Sequence, residues 1–277
     1  MSTDLAMPVI SEEAISVWDG RLTMRIKVAG AGAPLLYLHP AAGLRWDPFL
    51  SHLAESFTVY APEFPGTSVG DPYAIHAVDD LPDVVLVYEE LARKLGLHNP
   101  VLVGQSFGGM LAAELAATFP AMTDRLVLLD PIGLWRADAP VASWMSTPPE
   151  QLPALLFHDP TSEGAQALLA MPEDPEMARA ATAGMVWAFG CTGKFAWPIP
   201  DRGLRKRLHR ITASTLIVWG EHDRLVPPTY AQDFQALVAD SRVEIIAGSG
   251  HVPQVENFPA TARAVDEFLR RGRAVTQ

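Results

Sequence analysis

Short, nearly continuous apolar runs recur along this chain: Pro34 to Leu38, Phe57 to Ala61, Val101 to Val103, Leu126 to Leu129, Leu216 to Trp219 and Val243 to Ile246. A strand that is hydrophobic on both faces must be covered on both sides, as it is in a parallel sheet flanked by helices. Helical periodicity lies between several of the runs, at Asp80 to Leu95, Phe107 to Thr118, Thr229 to Val238 and Pro259 to Arg271. The alternation predicts an α/β protein with a mostly parallel, doubly wound sheet. A short hairpin precedes it, with Val17 and Trp18 joined to Leu22 to Val28 through the turn signal Asp19-Gly20.

The rhythm fails between Gly133 and Leu208, where nine prolines divide the sequence and no convincing strand occurs. Trp135, Trp144, Trp187 and Trp197 fall there, with Met145, Met171, Met177 and Met185. An insertion of this kind between sheet strands predicts a helical cap over residues 133–208, on a core made of 1–132 and 209–277. Its aromatic and thioether side chains serve either as the insert's own small core or as the lining of an apolar pocket. Trp135, Met185 and Trp187 are the candidate lining residues.

Composition narrows the partners. With 277 residues the chain can bury roughly three quarters of its unfolded surface, so a full core is available. A net charge of -11 offers no footprint for a phosphate backbone or an anionic membrane, so neither nucleic acid nor a membrane is expected as partner. The lone Cys191 cannot form an intramolecular disulfide and reads as a small buried hydrophobe, with a catalytic thiol as the alternative. Asp4, Glu12 and Glu13 stand where a signal peptide would need cations, and no apolar run approaches about 18 residues. A soluble cytoplasmic protein is expected. The cluster Arg202, Arg205, Lys206, Arg207, His209, Arg210 reads as a solvated helical face, with an anion site as the alternative.

The strand at Val101 to Val103 runs into Gly104-Gln105-Ser106-Phe107-Gly108 and then into a helix. A serine on so tight a turn needs glycines two residues before and after it, because side chains there would collide. The turn lifts the hydroxyl to a helix N-terminus, where developing negative charge is favoured. A serine hydroxyl is a weak nucleophile until a base takes its proton, so a histidine and an orienting carboxylate must follow. Asp223 ends the strand Leu216 to Trp219, and His251 follows the strand Val243 to Ile246, so both stand at one sheet edge with Ser106. Asp130, just after Leu126 to Leu129, is the competing acid.

The order Ser106, Asp223, His251, the stretch Gly-Glu-His-Asp-Arg-Leu-Val-Pro at 220–227 and Gly-Ser-Gly-His-Val-Pro at 248–253 resemble the α/β-hydrolase superfamily, in its cap-bearing form. The resemblance implies Ser106 as nucleophile, His251 as general base and acid, and Asp223 as the carboxylate that holds the imidazole. It implies an oxyanion hole from the amides of Phe107 and Ala41, and no metal or organic cofactor. Pro40 departs from the pattern, standing where similar hydrolases have glycine, which fixes φ and removes an N–H beside the expected donor. Glu63 stands where relatives often have aspartate and reads as a turn residue. His39, His52, His76, His98, His158 and His209 lack a partner motif and are expected at the surface or as caps.

The resulting expectation is a serine hydrolase cleaving an ester, lactone or related acyl bond of a small, largely apolar molecule. A hydrolase of carbon–carbon bonds in ring-cleavage products is the alternative. Several such enzymes carry tryptophan directly after the histidine, where this chain has Val252, taken as a further candidate contact to substrate. A low-turnover small-molecule receptor on the same fold is the reading from outside enzymology.

Overall fold

The structure, a computed structural model, describes residues 8–270. Expectations that involve Asp4 and Arg271 lie outside the described residues. Eight strands form one sheet: β1 (Ser11–Val17), β2 (Leu22–Ala29), β3 (Ala33–Leu38), β4 (Phe57–Pro62), β5 (Val101–Gln105), β6 (Arg125–Leu129), β7 (Ser214–Gly220) and β8 (Ser241–Ile246). Their order is β1-β2-β4-β3-β5-β6-β7-β8. The pairs β1–β2 and β2–β4 are antiparallel, and every pairing from β4 to β8 is parallel. The mostly parallel sheet expected from the apolar runs is present.

Successive side chains on a strand point to opposite faces, and here both faces are apolar. Leu36, Leu38, Leu102, Leu126, Leu128, Ile217 and Trp219 feed one core. Their neighbours Leu35, Tyr37, Val101, Val103, Val127, Leu216 and Val218 feed the other. Helices α2 (Leu81–Lys94), α3 (Phe107–Thr118) and α7 (Thr229–Leu237) cover the first face with Leu91, Leu111 and Phe234. Helices α1 (Pro48–Ala54) and α9 (Phe258–Arg270) cover the second with Leu50, Leu53 and Phe268. The sheet is therefore doubly wound, and its central strands β5, β6 and β7 read as unbroken apolar runs because neither of their faces meets water.

The hairpin differs from expectation in its turn. Trp18, Asp19 and Gly20 all have positive φ, and the loop is closed by Gly20 N–H to Val17 C=O (3.1 Å) and Arg21 N–H to Trp18 C=O (3.2 Å). The first strand also begins earlier than its apolar residues do, at Ser11-Glu12-Glu13. Exposed carboxylates on an edge strand oppose pairing with another chain.

Between β6 and β7 the described residues hold α4 (Leu152–Leu156), α5 (Glu163–Leu169), α6 (Pro175–Ala196) and two short 3₁₀ turns, with no strand. The basic cluster that ends this stretch is exposed at Arg202, Arg205, Lys206, His209 and Arg210, as a solvated face is, but several of its guanidinium groups also bond to the protein. Arg207 makes a two-pronged pair with Glu114 of α3, Nε at 2.7 Å and Nη2 at 2.6 Å, and the Glu114 side chain is almost wholly buried. Arg202 donates to the carbonyls of Phe195 (3.0 Å) and Trp197 (2.8 Å), and Arg210 to that of Ala117 (2.9 Å). The guanidinium groups are spent fastening the returning chain to α3 and to the end of α6.

Candidate active site

Ser106 is the N-cap residue of α3 at φ 54° and ψ -114°, a conformation disfavoured for any residue with a side chain. A Cβ on Gly104 would collide with the carbonyl of Gly108, and one on Gly108 with the carbonyl of Leu38. The two glycines thus let the turn pass between β5 and β3. The turn is pinned by Ser106 N–H to Leu129 C=O (2.8 Å) and Ile132 N–H to Ser106 C=O (3.2 Å). The serine side chain does not cap its own helix. It points to His251, with Oγ 2.8 Å from Nε2.

His251 Nδ1 lies 2.7 Å from Asp223 Oδ2. The other oxygen of Asp223 accepts from the amides of Leu225 (2.8 Å) and Val226 (2.9 Å), so the carboxylate is locked by its own turn. With Nδ1–H donating to Asp223, Nε2 is free to accept from the Ser106 hydroxyl. All three side chains are buried. The His251 backbone is held from two sides: its N–H donates to Leu156 C=O (2.7 Å), and its C=O accepts from Gln105 Nε2 (2.9 Å). A hydroxyl aimed at an imidazole that a buried carboxylate orients can lose its proton as it attacks an electrophile.

Asp130, the competing acid, is fully buried beside this group but does not hold the imidazole; its Oδ1 accepts from Gly220 N–H (2.8 Å). Burial, and then the charge of Asp223, push its carboxyl well above the usual carboxylate range.

A cavity of about 120 Å³ opens on Ser106 and His251. Ala41, Pro40 and Val252 line it, along with Trp144, Leu152, Leu156, Leu168, Phe189 and Leu225. Phe107 is wholly buried, and its amide opens helix α3, where no intrahelical acceptor exists. Ala41 and Val252 both line the cavity that opens on Ser106 and His251.

Three expected lining residues do not. Trp187 and Met185 are partly exposed to solvent outside the cavity, and Trp187 borders a separate surface groove of about 540 Å³ with Ile75, His76 and Lys194. The reason is the register of α6: its first half stands clear of the protein, and only from Ala188 onward does it pack down. Trp135 packs against the main core, away from the cavity. Phe189, two residues past Trp187, is the α6 side chain that reaches the cavity.

Sequence reasoning also missed two supports. His39 is buried, not superficial: Nδ1 lies 2.7 Å from Pro40 C=O, and Nε2 accepts from Phe64 N–H at 2.9 Å. It ties the loop carrying Ala41 to the turn after β4, and burial lowers its pKa to about 4. Thr192 of α6 reaches the carbonyl of Ala41. The signal for His39 was its place directly after a strand end; Thr192 had none, because its partner lies 151 residues away. Cys191 is buried, and burial raises its thiol pKa. No helix among the described residues is long and apolar enough to cross a membrane.

Comparison with known proteins agrees with this architecture. The model of the Alpha/beta hydrolase family matches residues 30–264. A 2-hydroxy-6-oxo-6-phenylhexa-2,4-dienoate hydrolase from Burkholderia cepacia is 25% identical over 304 residues, covering 98% of both chains. Among solved structures, naproxen esterase from Bacillus subtilis superposes with a TM-score of 0.75 at 18% identity, over 96% of this chain and 93% of that one. A bacterial membrane phospholipase A does so with a TM-score of 0.76 at 24% identity, over 96% and 86%. At these identities the structural likenesses speak to the fold.

Proposed function

The chain belongs to the alpha/beta hydrolase family, and on that premise we propose that it is a serine hydrolase cleaving an ester, lactone or related acyl bond of a small, largely apolar substrate. The observation that carries this reading is the pair of short contacts, Ser106 Oγ to His251 Nε2 at 2.8 Å and His251 Nδ1 to Asp223 Oδ2 at 2.7 Å. Ser106 attacks the substrate carbonyl while His251 takes its proton, and Asp223 stabilises the imidazolium that forms. The amides of Phe107 and Ala41 receive the oxyanion, each worth roughly 2.7 to 4 kcal/mol where such donors have been removed. His251 then protonates the leaving oxygen, which departs and leaves an acyl group on Ser106. Water, deprotonated by His251, cleaves that acyl-enzyme and restores the hydroxyl. No step draws on a metal or an organic cofactor.

Size argues for the substrate class. A cavity of about 120 Å³ is close to the roughly 150 Å³ that admits a benzene ring, so an acyl group of that bulk fits. Residues 133–208 act as a cap in this reading, contributing Trp144, Leu152, Leu156, Leu168 and Phe189 to the apolar wall. The protein is read as cytoplasmic, acting on a small molecule and not on nucleic acid, in keeping with its charge of -11 and lone cysteine.

Hydrolysis of a carbon–carbon bond is the second reading, favoured by the dienoate hydrolase relative. Val252 and the small cavity weigh against it. A fluorophosphonate probe is expected to label Ser106 stoichiometrically, and Ser106→Ala to lose labelling and aryl ester turnover together; undiminished turnover in that variant refutes the assignment. Assaying short-chain esters beside a vinylogous ring-cleavage acid separates the two chemistries. A receptor would release one equivalent of product and stall.

A further inference from the structure

Two buried carboxyl groups lie side by side beneath the imidazole, and only one of them contacts it. One oxygen of Asp130, one of Asp223 and a ring nitrogen of His251 all lie within 4.8 Å of one another. Two ionised carboxylates at such a distance in a dry interior repel strongly, so one of the pair must hold a proton. The hydrogen-bond inventory says which. Asp223 accepts three N–H groups, from Leu225, Val226 and His251. Asp130 accepts one, from Gly220, and no donor reaches its Oδ2 among the described residues. Accepted N–H bonds stabilise the anion, and an anionic oxygen buried without a donor is costly. The unpartnered oxygen is explained if it is itself an O–H donor, and the carboxylate that lies beside it to accept is Asp223.

We propose that Asp130 is held as a neutral carboxylic acid that donates its proton's hydrogen bond to Asp223, making it the positioning residue of the Ser106–His251–Asp223 relay. Asp130 itself touches neither substrate nor imidazole. Its proton delocalises the charge on Asp223 and fixes that carboxylate against rotation, so that Oδ2 stays aligned on His251 Nδ1. The charged and titratable groups around it are Asp223, His251 and, from helix α8 (Pro253–Glu256), Glu256. Among the described residues no lysine or arginine pairs with either carboxylate, which leaves the proton as the means of relieving the like-charge contact. The backbone serves the same end: Asp130 sits at φ 44° with its N–H bonded to Val218 C=O (3.0 Å), turning its side chain inward beneath the sheet edge.

The proposal rests on the serine-hydrolase reading only for its kinetic consequence, so its test has an arm that needs no catalysis. Infrared difference spectra, native minus Asp130→Asn, are expected to show a protonated carboxyl C=O band that persists at pH 8. Only carboxylate bands at that pH would overturn the proposal, whether or not the protein turns over any ester. The kinetic arm compares two variants. Asparagine can donate to Asp223 and accept from Gly220, so Asp130→Asn should keep kcat/KM within about threefold and leave the acid limb of its pH profile in place. Asp130→Leu removes the donor, concentrates charge on Asp223, and should move that limb to higher pH by about half a unit or more. Were Asp130 an anion, Asp130→Asn would remove a negative charge and move the limb to lower pH, which refutes the idea. Failure of fluorophosphonate labelling, by contrast, strikes the serine-hydrolase reading and leaves the infrared result standing.

Discussion

The hydroxyl of Thr192 lies 3.2 Å from the carbonyl oxygen of Ala41, joining the packed half of α6 to the loop after β3. The same hydroxyl is 2.9 Å from the carbonyl of Ala188, one turn back in its own helix. In the proposed mechanism the Ala41 amide receives the oxyanion, so a buried side chain from the proposed cap helps to aim it. Thr192→Val keeps the shape and removes the hydroxyl. The expected loss in kcat/KM on short aryl esters is about five- to tenfold, the size of one hydrogen bond of about 1 kcal/mol. Thr192→Ser should recover most of it. An unchanged rate in the valine variant would mean that packing alone positions the loop.

His39 makes stability fall in mild acid. Its pKa is lowered from 6.5 to about 4 by burial, so between those values the unfolded chain binds a proton that the folded one refuses. Stability therefore declines as pH drops through this window, by about 3 kcal/mol in total from this residue. Chemical denaturation at pH 7.5 and 4.5 measures it. His39→Gln retains an acceptor for Phe64 N–H and cannot charge, so its stability should drop less between the two conditions than that of the native chain. Parallel curves for the two proteins would refute this assignment.

The Arg207–Glu114 pair predicts an asymmetric mutational result. Arg207→Leu leaves the Glu114 carboxylate buried without its partner and is expected to cost about 3 kcal/mol. Adding Glu114→Leu removes the stranded charge and should recover much of that loss. A simple sum of the two single-variant losses in the double variant would show that the pair is not coupled.

Acyl preference should follow the residues that face the cavity and ignore those on the outer half of α6. Phe189→Ala enlarges the wall above Ser106 and is expected to shift the ratio of kcat/KM toward longer acyl chains by about tenfold or more per fitted methylene pair. Trp187→Ala, at an exposed position outside that wall, should leave the ratio unchanged. A series of p-nitrophenyl esters of increasing chain length tests both, and a larger shift at Trp187 would reverse the assignment.

Much of the sheet was legible because its physics is local. Six apolar runs mark the six strands β3 to β8, and the helix from Phe107 to Thr118 is where its periodicity places it. The steric demand on Gly104 and Gly108 is likewise written in adjacent residues. What escaped depended on contacts far apart in sequence. Trp187 and Phe189 are alike in composition terms, and only the direction in which α6 leaves the core decides which one meets the cavity. Arg207 reads as a surface cation until Glu114, 93 residues earlier, is seen beneath it. His39 reads as a loop histidine until the turn at Phe64 closes over it.

The strand that carries His251 toward the site is β8, the last in chain order and the outermost on its side of the sheet. Ser106 and the imidazole that meets it are 145 residues apart. A chain emerging from the ribosome thus completes the turn that carries Ser106 long before it holds the histidine proposed to activate it. In the proposed mechanism Ser106 is, during that interval, an ordinary alcohol with no base to take its proton. On the proposed mechanism, hydrolytic competence arrives with the final edge pairing, so the appearance of probe-reactive serine would serve as a clock for the close of folding, a slow event in a sheet built from non-local parallel pairs.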